Sequence, residues 1–205
     1  SFAPPLAALH RRFGIESAVV TTMQAVSGAG YPGVPSLDIM DNVIPYIAGE
    51  EPKVETEAQK IIGEFTDGVI VKADFPLSAQ CFRVAVIDGH MAAVRVNLRQ
   101  KGTLEEVVES MRSFPSLGLH SSPENFIEVT EEPSRPQTRL DRDAGKGMTI
   151  TVGRVFPDNV FDYRFVALSD TAQWRESIRS QARRAELKGT VLLADEGINL
   201  VLAGA

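Results

Sequence analysis

CFRVAVIDGH, residues 81 to 90, decides how the centre of this chain folds. CFRVAVI reads as a strand, and HMAAVRVNL, residues 90 to 98, reads as a second one. Asp88-Gly89 stands between them, a residue pair that favours a two-residue hairpin turn. In that hairpin residue 87 faces 90 and residue 83 faces 94. Arg83 and His90 then share one sheet face about four residues apart, roughly 13 Å at about 3.3 Å per residue. Without the turn, their odd spacing sends them to opposite faces. A guanidinium fork suits a carboxylate, and an imidazole suits proton transfer near neutral pH. A surface arginine and a turn histidine would account for the same two residues. Cys81 sits inside the strand, where a free cysteine is most often a small buried hydrophobe. Arg83 nearby would favour its thiolate.

Upstream, PLAALHRRF reads as a helix with Leu6, Leu9 and Phe13 on one side and Gly14 as its stop. ESAVVTTMQAV is β-branched and reads as a strand. It runs into SGAGYPGVPS, residues 27 to 36, a glycine- and proline-punctuated loop, and QAVSGAGYPG, residues 24 to 33, is able to offer backbone amides to a phosphate or carbonyl oxygen. GEEPKVETEAQK places Glu50, Glu51, Lys53 and Glu55 at a helix start, where carboxylates are favoured. The helix itself is expected around VETEAQKIIGEF, and a strand over residues 68 to 75. Thr103 and Glu106 form a capping box for LEEVVESMRSF. Residues 114 to 147 read as loop, broken by Pro115, Pro123, Pro133 and Pro136. MTITVGRV, residues 148 to 155, reads as a strand, and FDYRFVALS as extended. From Asp170 the texture changes. TAQWRESIRSQARRAELK is an amphipathic helix capped by Asp170 and ended at Gly189, and TVLLADEGINLVLAGA reads as strand, turn, strand.

The 205 residues allow one sizeable core, or one domain and a smaller piece. A formal charge of -6 leaves no basic footprint for nucleic acid, though clefts can still hold anions. One cysteine makes no internal disulfide, so a reducing, cytoplasmic setting is the default. No apolar run reaches the roughly 18 to 20 residues of a membrane span. No metal site is expected. The chain opens without Met and in mid-helix, so it reads as beginning part-way through a larger protein, and its C-terminus reads as cut.

Three stretches carry a resemblance: TTMQAVSGAGYPGVPSLDIMDNVIPYIAGEEPKVETEAQKIIG, CFRVAVIDGH and RPQTRLDRDAGKGMTITVGR. In order and spacing they are similar to the catalytic and dimerisation domain of archaeal and fungal aspartate-semialdehyde dehydrogenases, over about residues 1 to 168. The resemblance implies an α+β fold: a mixed, largely antiparallel sheet with helices packed on it. It implies NADPH-dependent reduction of aspartyl phosphate through a cysteine thioester, with release of phosphate, within a homodimer. By motif position, Gln24 would orient the acyl intermediate, Glu50 would hold the ammonium and Lys53 the phosphate. Arg83 would clamp the α-carboxylate and His90 would act as base. Ser27, Gly28 and Gly30 would touch the NADP nicotinamide nucleotide.

Two departures follow from the same resemblance. The family's nucleophile lies in an Asn-Cys-Thr-like motif, expected just before Ser1, and Cys81 is not in that place. The nucleotide domain is likewise expected outside this chain. After DNVFDYRFVALS the sequence leaves the family and resembles the N-terminal module of rhodanese-related tRNA uridine hydroxylases, above all in KGTVLLADEGIN. The reading is therefore a chimera: a dehydrogenase-like domain over residues 1 to 165 and a small βαβ-like tail over 166 to 205. Dehydrogenase activity by this chain alone is not expected. A non-catalytic dimerisation module, or a fusion fragment without function, is the alternative.

Overall fold

The computed structural model describes residues 2–157, 188–194 and 197–203. The chain divides into two compact units, Ser1–Pro157 and Asp158–Ala205. In the first, α1 (Ala3–Phe13) leads into β1 (Ile15–Gln24), a 3-10 turn (Val26–Ala29), α2 (Ser36–Ile39), β2 (Val43–Ile44) and α3 (Glu50–Ile62). β3 (Glu64–Thr66), β4 (Val69–Val71), β5 (Leu77–Val84), β6 (Met91–Leu98) and α4 (Leu104–Arg112) follow. β7 (Ile127–Thr130), α5 (Thr138–Asp141) and β8 (Ile150–Gly153) complete it.

The principal sheet is mixed, in the order β2-β5-β1-β6. β1 lies between β5, to which it is parallel, and β6, to which it is antiparallel; β2 is antiparallel to β5. Helices cover one face. Ala18, Val20 and Thr22, alternate residues of β1, are buried there. Leu6 of α1, Ala58 of α3 and Phe75 join the same core. Burying a side chain such as Leu6 or Ile15 is worth about 1.5–3 kcal/mol. α1 has Pro at its first turn and ends at Gly14, whose φ of 68° suits a residue without Cβ. The capping box at Thr103 is formed in both directions.

The expected hairpin at Asp88-Gly89 is not formed. β5 and β6 are separated by β1, so the connection crosses over that strand. Gly89 has φ 91°, but Asp88 is not in the left-handed region, which a type I′ turn requires at both positions. The turn of that kind lies at Asp67-Gly68, φ 51° and 82°, between β3 and β4. The strand expected over 68–75 is correspondingly only β4. α3 begins four residues earlier than expected, at Glu50. β7, read from sequence as loop, pairs in parallel with β8.

Beyond β2, the free edge of β5 is covered by side chains of α3. Glu55 accepts the Ala79 amide at 2.9 Å and Glu51 the Cys81 amide at 3.2 Å, while Gln59 donates to the Phe75 carbonyl at 2.9 Å. Residues 51, 55 and 59 form one row of the helix. Its spacing, about 6 Å per four residues, nearly matches the pitch of alternate strand residues. Buried strand amides thus find partners without another strand.

In the second unit, β9 (Lys188–Ala194) and β10 (Gly197–Ala203) pair antiparallel, the two strands expected there; the turn expected between them lies outside the described residues. Lys188 and Gly189, expected to end a helix, belong to β9. The remainder of that helix and the extended FDYRFVALS segment lie outside the described residues. Among the described residues no helix is long and apolar enough to cross a membrane.

Candidate active site

The site forms at one end of the principal sheet, where β1 and β5 finish and β6 begins. Gln24 is in register with Arg83 across the parallel pair. Met23 is in register with Met91 on the other side, so His90 continues the row next to Gln24. Neighbouring strands lie about 4.8 Å apart, so three residues distant in sequence share one face and one level. The Arg83–His90 association expected from a hairpin exists, but the intervening strand creates it.

Ala25, fully buried, joins them. Its carbonyl accepts from Arg83 Nη1 at 2.7 Å, and its N–H donates to His90 Nδ1 at 3.0 Å. A Cβ at Gly28 would lie 3.0 Å from Arg83 Nη1 and 2.9 Å from His90 Cε1. Both side chains therefore meet beneath Gly28, which leaves no room for a larger residue.

Arg83 is buried, at 6% exposure, and among the described residues it has no ion pair. Gln24 donates to Glu50 Oε1 at 3.2 Å and to Thr22 Oγ1 at 3.3 Å. Glu50 is placed by the first turn of α3, entered through Gly49 at φ 71°. Lys53, one turn on, approaches Glu50 Oε2 at 3.8 Å and remains over half exposed. Gln24, Glu50, Lys53, Arg83 and His90 thus form one constellation. Partial desolvation, then the positive charge of Arg83, hold the His90 pKa below its usual value. Since an N–H can only donate, Nδ1 of His90 carries the lone pair and the neutral ring's proton resides on Nε2.

Ser27, Gly28 and Gly30 lie on the exposed loop beside this row. The Ser27 hydroxyl donates to Asp88 Oδ1 at 2.9 Å. At Gly30, φ 68°, nothing lies within 4 Å of where a Cβ would project, leaving open space over the backbone.

Cys81 is fully buried on β5, two residues before Arg83 on the same face. Burial raises its thiol pKa, opposed by a hydrogen bond with Thr22 and reinforced by Glu51. Proximity to Arg83 did not activate it.

Sequence reasoning overlooked two contributors. Asp88 has the sequence character of a turn residue alone, yet its carboxylate accepts from the Ser27 hydroxyl at 2.9 Å and from the Gly89 amide at 3.0 Å. Arg142, just past α5, donates to the Asp88 carbonyl at 3.3 Å. The signal available was the charged run RLDRD, which carries no indication of where it docks.

Residues 6–173 match the family model described as semialdehyde dehydrogenase, dimerisation domain. Residues 158–205 match one described as UPF0176 acylphosphatase like domain, so the two matches overlap within the segment where the sequence changes character. The chain is 51% identical over 178 residues to an aspartate-semialdehyde dehydrogenase of Aspergillus fumigatus, covering 80% of this chain and 49% of that protein. It is 46% identical over 183 residues to the enzyme of that name from Archaeoglobus fulgidus, covering 89% and 52%. The chain spans about half the length of the curated relatives it matches. A crystal structure of aspartate-semialdehyde dehydrogenase with NADP from Candida albicans superposes with a TM-score of 0.69 at 40% identity, covering 77% of this chain and 46% of that one. Mixed sheet, helix cover, matched model and relatives agree, and this chain belongs to the semialdehyde dehydrogenase family through its dimerisation domain.

Proposed function

We propose that the first unit is the substrate-binding and proton-handling half of an aspartate-semialdehyde dehydrogenase. The observation that carries this is the buried Arg83, without an ion pair among the described residues, in one row with Gln24 and His90. A buried guanidinium is costly unless an anion meets it. It offers five donors, of which Ala25 takes one, so a face remains for a substrate α-carboxylate. Glu50 would receive the α-ammonium, and Lys53 at the open rim would meet a phosphate as a point charge. Gln24, held between Thr22 and Glu50, would orient the acyl group. His90 would exchange a proton at Nε2 beside the reacting carbonyl.

The open backbone around Gly28 and Gly30 suits one edge of a nicotinamide nucleotide, with Ser27 alongside. NADPH, when bound, supplies the hydride. The buried position and raised pKa of Cys81 support a nucleophile other than this thiol, leaving this chain by itself without the acyl-forming group. A homodimer belongs to the same reading, supported by the dimerisation-domain match and by Val19 exposed on the uncovered face of β1.

Calorimetric titration of the chain with L-aspartate and inorganic phosphate tests this. Binding weakened tenfold or more, about 1.4 kcal/mol, by Arg83→Gln is the expected result. A folded Arg83→Gln variant that binds equally well, or a wild-type chain that binds neither ligand, would sink the reading.

A further inference from the structure

We propose that Asp88 is a positioning residue for His90, holding the 86–90 segment against the 25–28 loop so that His90 keeps its Nδ1 on the Ala25 amide. The two segments are joined at four places. Val26 and Ser27 donate their amides to the carbonyls of Val86 and Ile87, at 2.8 and 3.1 Å. The Asp88 carboxylate accepts the Ser27 hydroxyl at 2.9 Å, and His90 Nδ1 accepts the Ala25 amide at 3.0 Å. Asp88 is the one side chain that also organises its own turn, through the Gly89 amide. Arg142 donates to the Asp88 carbonyl, and Thr138 and Arg142 pack at Gly89, where a Cβ would meet them at 3.4 and 3.2 Å. Gly89 is thus packed against Thr138 and Arg142, and the Asp88 carboxylate is the side-chain tie between this turn and Ser27. Releasing Ser27 frees the turn to swing, and the imidazole leaves Ala25. His90 then loses its fixed tautomer.

This rests on the proposed role of His90 as proton-handling group, but its test is independent of ligand binding. The sign of the change separates position from charge. The Asp88 carboxylate, like Glu50, favours the imidazolium, whereas desolvation and Arg83 disfavour it. Removing Asp88 by charge alone would lower the His90 midpoint; loosening the ring into solvent, away from Arg83, would raise it.

The experiment is nitrogen-15 histidine NMR on the full chain. His90→Gln assigns the resonance, or, should that variant not fold, single replacements of His10 and His120 do so. In the wild type, a proton on Nε2 and none on Nδ1 is expected; a proton on Nδ1 in the neutral ring overturns the proposal. In Asp88→Ala the tautomers should mix and the midpoint rise by about half a pH unit. In Asp88→Asn, which keeps an oxygen for Ser27 and Gly89, the tautomer should persist and the midpoint fall slightly. Should Asp88→Ala not fold, Ser27→Ala removes the same bridge without touching charge and should also raise the midpoint. An unchanged tautomer with an unchanged or lowered midpoint, in whichever of Asp88→Ala and Ser27→Ala folds, refutes positioning by Asp88. Loss of aspartate and phosphate binding with the tautomer intact would instead fault only the proposed function.

Discussion

Ala25 carries no chemistry, yet its buried amide and carbonyl determine what Arg83 and His90 can do. A buried peptide group left unpaired costs about 1–3 kcal/mol, so both side chains are held by a structural need before any ligand arrives. The same environment acts oppositely on Cys81. It is fully buried, and desolvation favours the neutral thiol, so sequence distance from an arginine says nothing of reactivity. Cys81 should therefore react with a disulfide reagent only as the fold opens, at a rate that rises with denaturant. Rapid stoichiometric modification of the native chain, followed by absorbance, would contradict this placement. Cys81 was legible as a core residue because free cysteine usually is one. Ala25 was not, because a backbone amide has no sequence signature.

Among the elements, α3 has two duties. Its N-terminal turn supplies Glu50 and Lys53, and its flank replaces a strand along β5 through Glu51, Glu55 and Gln59. Glu55→Ala would leave the Ala79 amide without its acceptor and should cost about 1–3 kcal/mol in denaturant unfolding. Glu57→Ala, on an exposed position of the same helix, should cost under about 0.5 kcal/mol. Equal effects of the two substitutions would discount the edge cover. The helix was readable from its composition and acidic start. Its edge-covering role was not, since pairing a helix row to strand amides depends on two elements separated by a hairpin.

At the scale of the molecule, pH should act in two steps. Burial lowers the pKa of both His10 and His90 from an ordinary value of 6.5. The unfolded chain therefore binds more protons near that value, and stability rises with pH. The contribution is complete above about pH 7 and is lost as pH falls through 6.5 toward the folded values. His10 is the structural member of the pair: its Nδ1 accepts the Ile15 amide at 3.3 Å and its ring packs on Phe75. The second step is carboxylate. Asp141, buried and paired with Arg135, and Asp88, bonded to Ser27, have pKa values below the ordinary 3.8. Their contribution is present above that value and is lost as pH falls through the folded ones. Urea unfolding from pH 8 to pH 5 should show falling stability, with a shallower fall in His10→Gln. A flat profile in the wild type would remove the histidine account.

Much of this molecule is local and was therefore decided by sequence alone. α1 with its Gly14 stop, the strand character of β1, β5 and β6, the capping box at Thr103 and the family motifs each depend on neighbours within a few residues. Strand order is not local. Asp88-Gly89 has the composition of a hairpin turn, and inserting β1 between β5 and β6 overrode it, because burying Ala18, Val20 and Thr22 under the helices outweighs a turn preference. That insertion placed Gln24 between Arg83 and His90, and only tertiary structure could do so: contacts across a sheet are set by which apolar faces bury together, not by separation along the chain.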